Sequence, residues 1–398
     1  MKQNLNILFE QLSTALLQTQ NYWRPTAFHE VKLPWMEQHP ALLQRLLNLS
    51  PQQINKLATN TTALIDFFAN DLPIASELAQ LCAIPALQHQ PTAKVSPRFY
   101  AGIPGRKWQQ VEAFTACVSA TDLSVLEWCA GKSHLGFYMQ HCNNTPVTAL
   151  EWDPGLVQQA NERADRGHIA LHSHTVDVLS DAANHFIKPE QQVVALHACG
   201  ELHERLLKLC VENHVQQLHI APCCYHKRQH NLYTPLSQQG RNLDLKLDKT
   251  AMHTAVMETA TAGATIQRQR SRLQIMRLGF DCLQKQLRGS DEFLALPSLP
   301  AKWARASFSD FCRYSADMKG IDLPTTVDWS HYLKLGEQRF WQVAALDLIR
   351  FLFRRPLEVW LVLDRALLLQ EYGYSVQVGT FCSATITPRN LLVQAYSS

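Results

Sequence analysis

The sequence predicts an α/β fold, a mostly parallel seven-stranded sheet whose last strand runs antiparallel, together with an N-terminal all-helical domain and a helical insertion. Three observations predict it. From Thr121 onward short apolar runs alternate with amphipathic helical segments, the pattern of βα units around a parallel sheet. Before residue 95 apolar residues recur only at helical spacing. Near the C-terminus two apolar runs are joined by "SATITPR", a connection that suits antiparallel neighbours.

The elements follow in order. "ALLQRLLNLSPQQINKLATNTTALIDFFANDL" carries the helical spacing, with Ser50-Pro51 as an N-cap and first-turn proline, and "QPTAKVSPRFYAGIPGRK" ends the helical domain of residues 1–95. Residues 96–398 form the sheet domain. Strands are expected at 124–129, 147–152, 174–179, 192–199 and 216–222, with helical segments such as "GLVQQANERADR" and "ELHERLLKLCVENH" between them. Residues from about 225 to 335 lack a strand pattern and read as the insertion. "RFWQVAALDLIRFLFRRPLEVWLVLDRALLLQEYG" is helical and must break or kink at Pro356. "YSVQVGTFC" and "NLLVQAYS" are the closing strands.

Composition narrows the class. Of 398 residues 46% are apolar and 18% charged, as in a folded globular chain. The start lacks the features of a secretory signal, and no apolar run reaches the roughly 20 residues of a membrane span, so a cytoplasmic protein without membrane contact is expected. The eleven cysteines read as thiols. A net charge of +3 is too small to name a nucleic-acid partner by itself.

"VLEWCAGKSHLG" leaves a strand at Glu127-Trp128-Cys129 and enters a helix near His134, with Ala130 and Gly131 between. Small residues there let a ligand approach the backbone and the N–H groups that open the helix. Cys129 and Ser133 stand where a dinucleotide loop has glycines. Glu151 ends the next strand, suited to ribose hydroxyls, and Asp177 ends the third, suited to an adenine amino group. Each carboxylate reads equally as a solvent-facing cap.

"EWCAGKSHLG", "LEWDP", "LHACGELHERLL", "APCCYHK" and "TPRNLLVQA" together resemble the S-adenosylmethionine (SAM)-dependent methyltransferase-domain family that includes the glutathione S-transferase C-terminal-domain-containing protein and the methyltransferase-like proteins. They are more distantly similar to tRNA 2′-O-methyltransferases. The resemblance runs from about Gly105 to the C-terminus, interrupted after Tyr225. Ser133 departs from the family's C-A-G-K-G-H-L, which concerns the tightness of that turn. The resemblance implies a class I SAM-methyltransferase Rossmann-like fold with SAM as cofactor. It also places Lys107 and Gln110 of "GIPGRKWQQVEAF" near the methionine carboxylate or the substrate entrance. The cofactor-binding candidates are then Lys107, Gln110, Glu127, Cys129, Ala130, Gly131, His134, Leu135, Gly136, Glu151, Trp152, Asp177, Val178 and His197.

Acceptor chemistry belongs at the carboxyl ends of the fourth and fifth strands. His197 and His226 are candidate bases, Tyr225 offers a stacking face and a hydroxyl, and Cys223 and Cys224 edge the pocket. Zinc is not expected, because the cysteines lack C-x-x-C spacing. Plain packing remains open for each thiol, as does covalent cytosine-5 transfer through Cys199 with Cys223 or Cys224. Arg268, Arg270, Arg272, Arg277, Lys285 and Arg288 form a basic helix-like stretch, so RNA is preferred over protein as substrate. A solvated helix face is the plainer reading of that stretch. The alternative to an enzyme is a binding scaffold on a degenerate methyltransferase fold.

Overall fold

The structure, a computed structural model, describes residues 4–257, 264–297 and 299–397. Two compact units make up the chain. One comprises Met1–Gln18, Leu78–Val256 and Arg354–Ser398, the other Thr19–Glu77 and Met257–Phe353. These units do not follow the predicted boundaries at 95 and at about 225–335, part of the latter lying outside the described residues.

Packing explains the difference. Helix Leu5–Gln18 buries Phe9 and Leu12 and packs on helix Arg354–Glu371, where Phe9 stacks on Trp360 at 5.1 Å and the Trp360 indole N–H donates to Ser13 Oγ at 2.9 Å. Asp364 ties residues 233–237 to the same helix: its buried carboxylate accepts from the Tyr233 hydroxyl (2.6 Å), the Leu236 and Ser237 amides (2.7 and 3.0 Å) and the Ser237 hydroxyl (2.6 Å). A helical pattern within residues 1–95 says nothing about a packing partner so distant in sequence. Pro356 sits in the first turn of its helix, where its missing N–H costs no intrahelical bond.

The sheet of the first unit contains β1 (Ser124–Trp128), β2 (Val147–Glu151), β3 (Leu171–Thr175), β4 (Gln191–Cys199), β5 (Gln217–Cys223), β6 (Ser375–Thr380) and β7 (Leu391–Tyr396), in the order β3-β2-β1-β4-β5-β7-β6. Only β7 runs against the others; it pairs antiparallel with both β5 and β6. This is the class I methyltransferase sheet. Its central strands are buried on both faces, the polar Glu127 of β1 and His219 of β5 included.

β3 is a correction. The expected 174–179 follows the alternation of Val176 and Val178, but the ladder runs from Leu171, opposite Val147, to Thr175, opposite Glu151. The histidines in "LHSHT" disguise a strand whose inward residues are Leu171 and Ser173. Asp177 therefore lies beyond the strand, in the loop after it.

In the second unit Ser50 and Gln53 form a capping box, as their spacing indicates. Helices Ala264–Arg288 and Trp329–Leu346 pack closely because glycines meet. A Cβ on Gly336 would lie 2.4 Å from the Ile275 carbonyl oxygen, and one on Gly279 would lie 2.8 Å from that of Tyr332. The basic stretch on the first of these helices is largely engaged within the chain. Arg272 donates to the Ala306 carbonyl, Arg277 to those of Leu296 and Pro297, Arg288 to Gln284 and Glu292, and Lys285 pairs with Asp281 at 2.9 Å. No helix among the described residues is long and apolar enough to cross a membrane.

Candidate cofactor and acceptor site

The β1-to-helix loop keeps a glycine-type backbone with a glycine at only one of its three positive-φ positions. Cys129 (φ 56°), Gly131 (φ 60°) and Ser133 (φ 52°) all adopt the left-handed conformation, which costs a non-glycine residue about 1–2 kcal/mol. The Ser133 hydroxyl offsets its share by donating to Glu127 Oε2, which also accepts the Gly136 amide at 3.0 Å. A Cβ on Gly136 would stand 2.5 Å from that oxygen. Glu127 is thus a buried post under the loop, and Leu135 belongs to the core beneath it. Neither lines the cavity described below.

Burial raises the Glu127 pKa to about 7, against the opposing Ser133 and Gly136 hydrogen bonds. The folded state therefore holds this proton more tightly than the unfolded chain. The resulting stabilisation is complete below about pH 4.5 and is lost as pH rises through about 7. Glu127→Gln keeps both accepted hydrogen bonds and removes the titration. Thermal melts are expected to show a flatter pH dependence than wild type across this window, whereas parallel curves would disprove it.

Glu151 locks the ends of β1 and β2 together. One carboxylate oxygen accepts the Gly131 amide at 2.8 Å, and the other accepts the Trp152 and Asp153 amides at 3.0 and 3.1 Å. Ala130 adds a bond from its amide to the Leu150 carbonyl at 2.9 Å. Beside this junction is a cavity of about 340 Å³ lined by Cys129, Leu150, Glu151, Trp152, Val176, Asp177, Val178 and Leu202. Five of these eight were candidates from the sequence. Leu150, Val176 and Leu202 were missed, since an apolar residue at a strand end or first helical turn reads as core.

Glu151→Ala is expected to weaken SAM binding by about 1–3 kcal/mol, because it removes a charged acceptor from the cavity wall and releases the Gly131 amide. Calorimetric titration measures it; an unchanged affinity in folded protein would remove Glu151 from the site.

The second half of the site lies at the ends of β4 and β5. β4 has a register irregularity between Leu196 and Cys199, and His197 takes φ 72° there. The His197 Nε2–H donates to Gln110 Oε1 at 2.6 Å. Gly200 lets the two strand ends close up, since a Cβ there would come within 1.8 Å of the Lys227 carbonyl oxygen. Neighbouring protein atoms that shield the otherwise exposed His197 ring from water, and then Lys107, lower its pKa; burial, Lys107, Arg163 and Lys132 bring that of His134 to about 4.

The "CCYH" residues separate. Tyr225 is fully buried: its hydroxyl donates to the Pro222 carbonyl, and the Arg365 guanidinium lies 5.2 Å from its ring centre. It therefore offers no stacking face, contrary to expectation, because the turn after β5 directs it into the core. His226 is half-buried against His253, its pKa lowered first by burial. Cys223 is buried and Cys224 half-buried. Their sulfurs and that of Cys199 lie within 4.8 Å of one another. Hydrogen bonds from the Cys199 and Cys223 thiols, with Lys227 and His226 nearby, hold the Cys224 thiol far below its ordinary pKa.

Residues 106–231, which contain both halves of this site, match a family model described as a methyltransferase domain. The chain carries a methyltransferase domain. The match concerns the methyltransferase domain at large and not the narrower grouping with glutathione S-transferase C-terminal-domain proteins. Its cofactor is SAM, and the site fits that group. The Cα of Gly131 faces open space, with nothing within 4 Å of an added Cβ, and Glu151 and Asp177 border the adjoining cavity.

Solved structures similar to the chain include TehB from Haemophilus influenzae (14% identity, 28% of this chain and 39% of that one, TM-score 0.24) and an rRNA methylase from Streptococcus thermophilus (11%, 30% and 72%, 0.24). Another is the magnesium protoporphyrin IX methyltransferase of Synechocystis with bound SAH (10%, 85% and 99%, 0.32). The chain thus spans about two fifths of TehB. The methyltransferase domain is assigned from the family match and the strand order, not from these superpositions.

Proposed function

We propose that the protein transfers a methyl group from SAM to RNA, with His197 removing the acceptor's proton. The observation that carries this reading is the His197–Gln110 hydrogen bond at the end of β4. Gln110 engages Nε2–H and leaves Nδ1 as the proton acceptor. SAM supplies an electrophilic methyl group on a sulfonium. The chain's own part is to hold a nucleophile in line and to take its proton. Because the His197 pKa is lowered, the ring is neutral near pH 7 and competent for that step.

Positive charge around the site supports a polyanionic acceptor. Lys107 and Lys132 act on His134, Lys107 on His197, and Lys227 with Arg389 on His226. Cations placed this way attract the regularly spaced phosphates of a nucleic-acid backbone. The basic helix adds less than its sequence suggests, since four of its six cations are engaged within the second unit.

The test is tritiated-methyl transfer from labelled SAM into RNA and protein fractions of a strain lacking this protein. Label in the RNA fraction, dependent on added protein, is expected. Label confined to protein would overturn the substrate class. No calorimetric binding of SAM or S-adenosylhomocysteine to folded protein would overturn the enzyme and favour a scaffold.

A further inference from the structure

We propose that Cys199, Cys223 and Cys224 form a binding site for a thiophilic divalent cation such as zinc, with three sulfur ligands and a fourth position open to solvent. Spacing along the chain argues against such a site, because the adjacent pair lacks C-x-x-C spacing. The sheet supplies what spacing lacks. Cys199 and Cys223 are register partners on neighbouring parallel strands, and their sulfurs lie 3.5 Å apart. All three sulfurs fall within 4.8 Å of one another. Tetrahedral zinc with Zn–S bonds of about 2.3 Å separates its sulfurs by about 3.8 Å, so shifts of a few tenths of an ångström would suffice for the closest pair.

The backbone that produces this convergence is costly. His197 and Cys224 both hold positive φ, at 72° and 47°, and Gly200 at 57° lets the Lys227 carbonyl pass close to its Cα. Strain of this kind persists where surrounding structure enforces it, and it concentrates at functional sites. Charge is also suited. Three thiolates around a divalent cation carry a net negative charge, and the Lys227 ammonium near Cys224 offsets part of it.

Cys223 is buried while Cys199 and Cys224 are half-buried, so solvent reaches the cluster on the side of the latter two. Three protein ligands with an open position are the arrangement of a catalytic rather than a structural zinc site. The site itself stands on the sulfur geometry alone. Only its use, to bind and acidify an acceptor atom, rests on the proposed methyl transfer.

Cobalt(II) titration of the full-length, reduced protein reads the site directly. We expect saturation at one equivalent, with a near-ultraviolet sulfur-to-cobalt charge-transfer band, and zinc should displace the cobalt. The band should weaken in Cys199→Ser and in Cys224→Ser and survive in Cys142→Ser. If Cys223→Ser does not fold, the two half-buried positions still decide. No charge-transfer band in folded wild-type protein, or a band unchanged in both Cys199→Ser and Cys224→Ser, would overturn the site. Calorimetric titration with SAM on the same samples keeps the two proposals apart: a cobalt band without SAM binding supports the metal site and sinks the methyltransferase reading, while SAM binding without the band does the reverse.

Discussion

His197→Ala is expected to lower kcat by about 10²–10⁴-fold while leaving the Kd for SAM within a few-fold of wild type. Its ring is held from one side only, by Gln110, so alanine removes a proton acceptor without breaking a buried network. Gln110→Ala should give a smaller loss, because it frees the ring's orientation and keeps the base. The pH profile provides a readout that a structural role would not move. A base must be unprotonated, so kcat should rise with pH through the His197 pKa, and desolvation of the ring with Lys107 nearby places that limb below the ordinary histidine value. In His197→Ala the limb should vanish. A variant with near-normal kcat would exclude His197 as the base and direct attention to His226.

Arg365→Ala is expected to destabilise the first unit by about 3–5 kcal/mol, the range for removing one partner of a buried ion pair. Only 1% of Arg365 is exposed. Its guanidinium donates to His203 Nε2 (2.8 Å), Glu204 (3.0 Å), the Tyr233 hydroxyl (3.1 Å) and the Leu361 carbonyl (2.6 Å). Truncation strands the Glu204 carboxylate with Arg228 as its remaining partner at 3.2 Å. It also uncovers the Tyr225 ring. Urea unfolding measures the change; a loss under 1 kcal/mol would show that the network relaxes around the gap. Since Glu201–Glu212 is the helix that follows β4, the damage should extend to the acceptor site.

The sheet was legible because its central strands are buried on both faces and are therefore mostly apolar in sequence. β3 was misplaced because its pairing residues are interrupted by His172 and His174, while the loop beyond it alternates more regularly. The loop after β1 was legible by position. Its conformation was not, because Cys129 and Ser133 hold backbone angles their side chains disfavour and only the Glu127 hydrogen bonds explain how Ser133 does so. Glu151, Trp152, Asp177 and Val178 line the cavity. Tyr225 does not, since no sequence pattern tells which residue of a turn points inward. The unit boundaries were hidden for a similar reason: helix Leu5–Gln18 advertises an apolar face but not its partner.

That pairing sets the order of assembly during synthesis. The main partner of helix Leu5–Gln18, helix Arg354–Glu371, is made roughly 330 residues later, which at about 5–20 residues per second is a delay of tens of seconds. Throughout this interval the nascent chain exposes the face bearing Phe9 and Leu12, and β7, which must slip between β5 and β6, is later still. Completion of the first unit is thus a late event in synthesis.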